Sequence, residues 1–169
     1  HEPSRRQRQM CIRDRHEENR LILRKGLWSG RGSVLTEGAS LGQSISLDAE
    51  IVDELDGLTI TGEISDSYGA PISVRVAPNE VGTYVIDARL GKVALDGIAK
   101  LESEPNHALL WHESGIYSAS VSLFSIGGGL GCRGFFRDAK GALTWEMQLQ
   151  PKQQAVGGAN VVSLARRRR

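Results

Sequence analysis

The sequence predicts an all-β chain, an antiparallel up-and-down β-barrel of about ten strands, from three observations. Apolar residues after position 26 recur at every second place. Ile45, Leu47, Ala49 and Ile51 alternate with Ser44, Ser46, Asp48 and Glu50, and Leu143, Trp145, Met147 and Leu149 alternate with Thr144, Glu146 and Gln148. Successive side chains of a strand point to opposite faces, so each such segment has one dry face and one wet face. Turn-forming Gly, Pro, Asn and Asp residues separate these segments at short, even intervals, and almost no segment carries a helical period.

The strands follow in order. The first is expected over 27–37 and the second over 43–54. Asp56-Gly57 between two alternating runs is the strongest short-range hairpin signal in the chain. A third strand is expected over 58–66 and a fourth over 72–77, which ends at Pro78-Asn79. The fifth, 83–90, turns at Gly91-Lys92 into the sixth, 93–102, which stops at Pro105-Asn106. A short seventh, 107–112, is broken by Ser114-Gly115 from the eighth, 116–126. Strands nine (131–137) and ten (143–150) follow, and a final strand is expected over 160–167. Short links favour antiparallel neighbours, because a parallel pair needs a long crossover. A closed barrel and a two-sheet sandwich both hide strand edges, and consecutive tight turns favour the meander that closes. Ten strands exceed the eight whose interior side chains just fill, which leaves room for a cavity.

Charge is unevenly distributed. Residues 1–25 hold eight Lys or Arg and four Asp or Glu, Arg166–Arg169 add four more cations, and 26–165 therefore carries −7 within a total of +1. An acidic body does not form a phosphate-binding track, so nucleic acid is not expected as a partner. Two cysteines, Cys11 and Cys132, make neither a disulfide framework nor a zinc site. No apolar run is long enough for a membrane span, and with no secretory signal the expected location is cytoplasmic.

The first fifteen residues have no hydrophobic period. The stretch Arg5–Arg15 resembles peptides translated from library adapter sequence. Residues 1–15 are read as a basic tail, with a nucleic-acid or membrane-surface arm as the alternative. Residues 16–169 are read as one barrel domain. Asp14 and Glu17 have capping-box-like spacing before Leu21-Ile22-Leu23, which predicts a short N-terminal helix able to close one end of the barrel.

The first strand opens Leu27-Trp28-Ser29-Gly30-Arg31-Gly32, a W-x-G-x-G pattern. This resembles the calycin barrels, which include lipocalins, fatty-acid-binding proteins and nitrobindin-like haem barrels. The resemblance implies that Trp28 is a structural plug at the closed end and that Arg166 or Arg168 packs over it from the last strand. It also implies a barrel that binds a small apolar molecule. The nitrobindin-like branch, closest in element order, places a haem-ligating His near the start of the last strand, where this chain has Asn160 and Val161. A haem barrel is therefore the alternative reading, with His112 as its ligand; otherwise no cofactor and no metal is expected.

The inward, ligand-binding set is expected to be Tyr84, Tyr117, Val121, Phe136, Trp145 and Met147, which offer aromatic and polarizable surface. Tyr117 and Arg133 are the expected orienting polar groups. The match of Gly129–Gly134 to G-x-G-x-x-G is followed by strand-like Phe135-Phe136, so it reads as a hairpin turn and bulge rather than a dinucleotide site. Ser118, Ser120 and Ser122 read as a solvated face, Cys132 as a small buried hydrophobe, and Arg166–Arg169 as a solubilising tail. No catalytic motif stands up, and non-catalytic binding is the reading. A structural domain with a filled core is the remaining alternative.

Overall fold

The computed structural model describes residues 21–66, 69–80 and 82–153. These form ten strands: β1 (Gly26–Thr36), β2 (Gln43–Glu54), β3 (Gly57–Asp66), β4 (Ala70–Pro78), β5 (Tyr84–Leu90), β6 (Val93–Lys100), β7 (Asn106–Trp111), β8 (Ser118–Ile126), β9 (Gly129–Asp138) and β10 (Gly141–Pro151). Each strand pairs antiparallel with the next, and β10 returns to pair with β1, which closes the barrel. Closure is thus complete without the final strand expected over 160–167, which lies outside the described residues. The expected helix falls largely on residues outside the described set as well, and 21–25 contain bends rather than helix.

Pairing followed around the barrel runs from Asp53 through Leu58, Val76, Ile86, Gly97, Leu110, Ala119, Phe136 and Leu143 to Thr36. Extending the Val34–Gln43 register puts position 41 of the chain opposite Thr36, a stagger of about 12 residues per circuit that tilts the strands by roughly 40°. Most inward positions are apolar and most outward ones polar, with exposed Val85, Ile98, Leu109, Trp111 and Phe135 as exceptions on the outer wall. No helix among the described residues is long and apolar enough to cross a membrane.

The second hairpin departs from the expected turn. Its two-residue loop is Leu55-Asp56, and Gly57 already pairs with Glu54. The glycine opens β3 rather than supplying a turn conformation: a Cβ at Gly57 would fall on the Val76 carbonyl oxygen of β4. Loop Gly91-Lys92 follows the turn rule, with Gly91 at φ +58° in its first position, whereas in Gly127-Gly128 the positive φ of +81° falls on the second residue, Gly128. In the Asp138–Gly141 turn, the Asp138 carboxylate accepts the amides of Lys140 (2.8 Å) and Gly141 (3.1 Å).

Asn106 is the buried polar residue among those described, 2% exposed. With its amide oriented to donate, Nδ2 reaches the carbonyls of Leu101 (3.1 Å) and Ser103 (2.9 Å), tying down the β6–β7 connection from inside. Asn106→Leu leaves two carbonyls without their donor and is expected to cost about 1–3 kcal/mol. Urea unfolding would measure it, and a cost near zero would show that water replaces the amide.

Candidate functional site

The antiparallel order gives the barrel two unlike ends. One end has the connections that follow β2, β4, β6 and β8 together with the segment leading into β1. The other has those that follow β1, β3, β5, β7 and β9.

The first end is sealed. Trp28, Ile51, Leu58, Val76, Tyr84, Leu101, Leu130 and Leu149 are all buried there, and Leu21, Ile22 and Leu23 pack against them. The Trp28 indole N–H donates to the Arg24 carbonyl (2.8 Å), which holds the incoming segment across the opening. Outside this end, the Glu104 carboxylate accepts from the hydroxyl (2.5 Å) and amide (3.1 Å) of Ser125, and these bonds lower its pKa.

The second end is different. Tyr117, Phe136, Leu143, Trp145 and Val93 occupy inward positions and contact the core, yet each stays partly accessible to solvent. Tyr117 and Phe136 lie with ring centroids 6.3 Å apart, and His112 meets Tyr117 edge-on at 5.7 Å. Trp145 lies over Gly134, where a Cβ would collide with its ring, and Gly134 pairs with Val121 on β8. The smallness of Gly134 lets the indole lie flat across β9. The indole N–H is hydrogen-bonded to the Cys132 sulfur. Burial raises the pKa of that thiol and the Trp145 bond partly offsets the rise, so Cys132 stays a neutral thiol at physiological pH. Midway between the two ends Ala49, Gly62, Ala88, Gly97 and Ala108 are small inward positions, and Val74, Val121 and Met147 face inward among them.

Of the residues expected to line a ligand site, Tyr117, Val121, Phe136 and Trp145 come together in this accessible half. Tyr84 is buried in the sealed end, and Met147 packs across Gly30, where a Cβ would meet its sulfur at 2.6 Å. Leu143 and Val93 line the mouth although sequence reasoning did not single them out. Their parity was readable, but their height along the barrel depends on the stagger. Trp28 is buried at the sealed end, and Arg166 lies outside the described residues. Ser118, Ser120 and Ser122 alternate with the inward set and face outward.

Arg133, expected as an orienting group, faces outward. It pairs with Glu146 (2.8 Å) and its guanidinium stacks over Phe124, 5.5 Å from the ring centre. The strand alternation that turns Cys132 inward forces Arg133 out. This pair borders a concavity of about 380 Å³ on the outer wall, with Arg31, Ser33 and Gln148; it is not the lumen.

His112, the ligand of the haem alternative, lies beside the mouth, where its Nδ1 accepts the Ser114 amide (3.1 Å) and contacts the Ser114 hydroxyl (2.6 Å). This contact occupies Nδ1, so a ligand role would fall to Nε2. Among the described residues, no cluster of three or more His, Cys, Asp or Glu is placed to hold a metal ion.

Fold and site together define a class: a closed ten-stranded antiparallel barrel with an apolar interior, sealed at one end and accessible at an aromatic mouth at the other. Neither a protein-family model nor a curated protein matches the chain.

Proposed function

We propose that the protein binds a small, neutral, apolar molecule in the accessible half of the barrel, as a calycin-like carrier without catalysis. The observation that carries this is the unequal burial of inward-facing side chains: one end is packed shut, while at the other Tyr117, Phe136, Leu143 and Trp145 remain partly accessible beside the buried Val34, Ile45 and Leu95. The ligand would enter among these aromatic side chains and displace solvent from them. Affinity would come from apolar burial at roughly 25 cal/mol per Å², with Tyr117 as the orienting hydroxyl.

Neutrality follows from the lining. Among the described residues no Lys or Arg occupies an inward strand position, so a buried carboxylate would lack a counter-charge. Val121→Trp places a second indole beside Trp145 and fills the lumen from β8. Saturable binding of Nile red, a neutral lipophilic dye, is expected for the native chain. The substitution should weaken it by at least about tenfold while leaving the urea midpoint nearly unchanged. An anionic fatty-acid probe should bind more weakly than the neutral dye. Absence of saturable dye binding to the native chain would leave the filled structural barrel as the better account. A Soret band that forms with added haem and disappears in His112→Ala would overturn the carrier reading in favour of haem.

A further inference from the structure

The outer wall carries an apolar strip that neither the fold nor the ligand site uses. Val85, Ile98 and Leu109 are cross-strand partners on β5, β6 and β7, exposed by 47%, 50% and 54%, with Trp111 (41%) and Phe135 (59%) beside them. Between β7 and β9 runs β8, whose outward residues beside this strip are the small Ser118, Ser120 and Ser122, all recessed to half-burial, with Phe124 beyond them. The wall therefore presents a ridge (Leu109, Trp111), a serine trench next to it, and a second ridge at Phe135. A closed barrel has no free strand edge, so association through this wall must be face to face.

We infer that this wall is the interface of a homodimer whose two-fold axis runs along the strands, between β7 and β8. That operation keeps the strand direction and lays β7 of each copy over β8 of the other. Residues that share a row across the sheet come opposite one another, so Leu109 meets Ser120 of the second copy and Trp111 meets Ser118. Ridge enters trench twice, as an isologous contact requires.

Charge agrees with shape. Asp87 and Asp96 are exposed and directly opposed on β5 and β6, a like-charge pairing that is unfavourable within one copy. Arg75, across from Asp87 on β4, is 3.9 Å from Glu54. On the far side of the trench stand Arg133, already paired with Glu146, and Arg137. The two-fold sets Asp96 opposite Arg137 of the second copy, because Asp96, Trp111, Ser118 and Arg137 share one row. A bilayer surface would call for one sign of charge, whereas acid on one flank and base on the other suits self-association. The five apolar side chains expose roughly 500 Å² per copy, and Leu109, Trp111, Ile98 and Phe135 nearest the axis supply a small contact that suits a weak dimer.

Sedimentation velocity on the full chain, from micromolar to near-millimolar concentration, tests this. The native chain is expected to shift from monomer to dimer. Ser120→Arg fills the trench and Leu109→Glu charges the ridge. Each substitutes an outward-facing residue and should raise the dissociation constant at least about 100-fold without lowering the melting temperature. Asp96→Arg should weaken association about tenfold, and adding Arg137→Asp should recover it. A native chain that stays monomeric throughout overturns the proposal, as does a dimer indifferent to both trench and ridge substitutions. Failure of the charge exchange to recover affinity overturns the two-fold arrangement.

Discussion

Trp28→Ala is expected to lower the free energy of unfolding by about 3–5 kcal/mol, the range for removing a buried aromatic side chain. Trp28 is 7% exposed at the start of β1 and fills the sealed end together with Leu101, Leu149 and the Leu21–Leu23 segment. Two contributions are lost together. The indole surface leaves a void that the strand backbones cannot collapse into, because each is held by ladders on both sides. The hydrogen bond to the Arg24 carbonyl also goes, and with it the tether that keeps 21–25 across the opening. Trp28→Phe separates the two, since it keeps most of the volume and removes only the N–H. Its expected cost is about 1–2 kcal/mol. Urea denaturation of the three chains gives both numbers. A Trp28→Ala cost below about 1 kcal/mol would show that the sealed end does not depend on this ring.

Gly32→Ala is expected to cost about 1–3 kcal/mol or more, although it adds one methyl group to a strand. Gly32 lies on β1 opposite Met147 of β10, at the seam where the barrel closes. A Cβ there would fall on the Glu146 carbonyl oxygen. The atom in the way is backbone, so no rotamer change relieves it and β1 must move away from β10. Hydrogen exchange should therefore accelerate along these two strands first. Gly127→Ala is the control: a Cβ at Gly127 meets nothing within 4 Å, and its effect should stay within about 0.5 kcal/mol. Equal costs for the two substitutions would mean that the seam is compliant and closure is not under steric control at Gly32.

The period-two alternation was legible before any coordinates, and it specified which residues face inward on nearly every strand. Tyr117, Val121, Phe136 and Trp145 could be assigned to the interior because parity is a local property of an extended chain. The eighth strand begins later than its pattern suggested. Residues 116 and 117 belong to the turn in which the His112 amide donates to the Tyr117 carbonyl (2.9 Å), so Tyr117 reaches the mouth from a loop end. Asp56-Gly57 marked the correct hairpin but the wrong loop residues. The glycine answers to the approach of β4, a contact with a residue nineteen positions away.

The sequence by itself determined the strands, their antiparallel succession and the face each side chain takes. These follow from alternation and turn chemistry over stretches of a few residues. Only the tertiary structure decided that β10 closes on β1 and how far each strand is staggered against its neighbours. That stagger separates Tyr84, locked in the sealed end, from Trp145, accessible at the mouth, though both face inward on equally apolar strands. Height along a barrel is set by the sum of all the registers around it, and no local segment carries that sum.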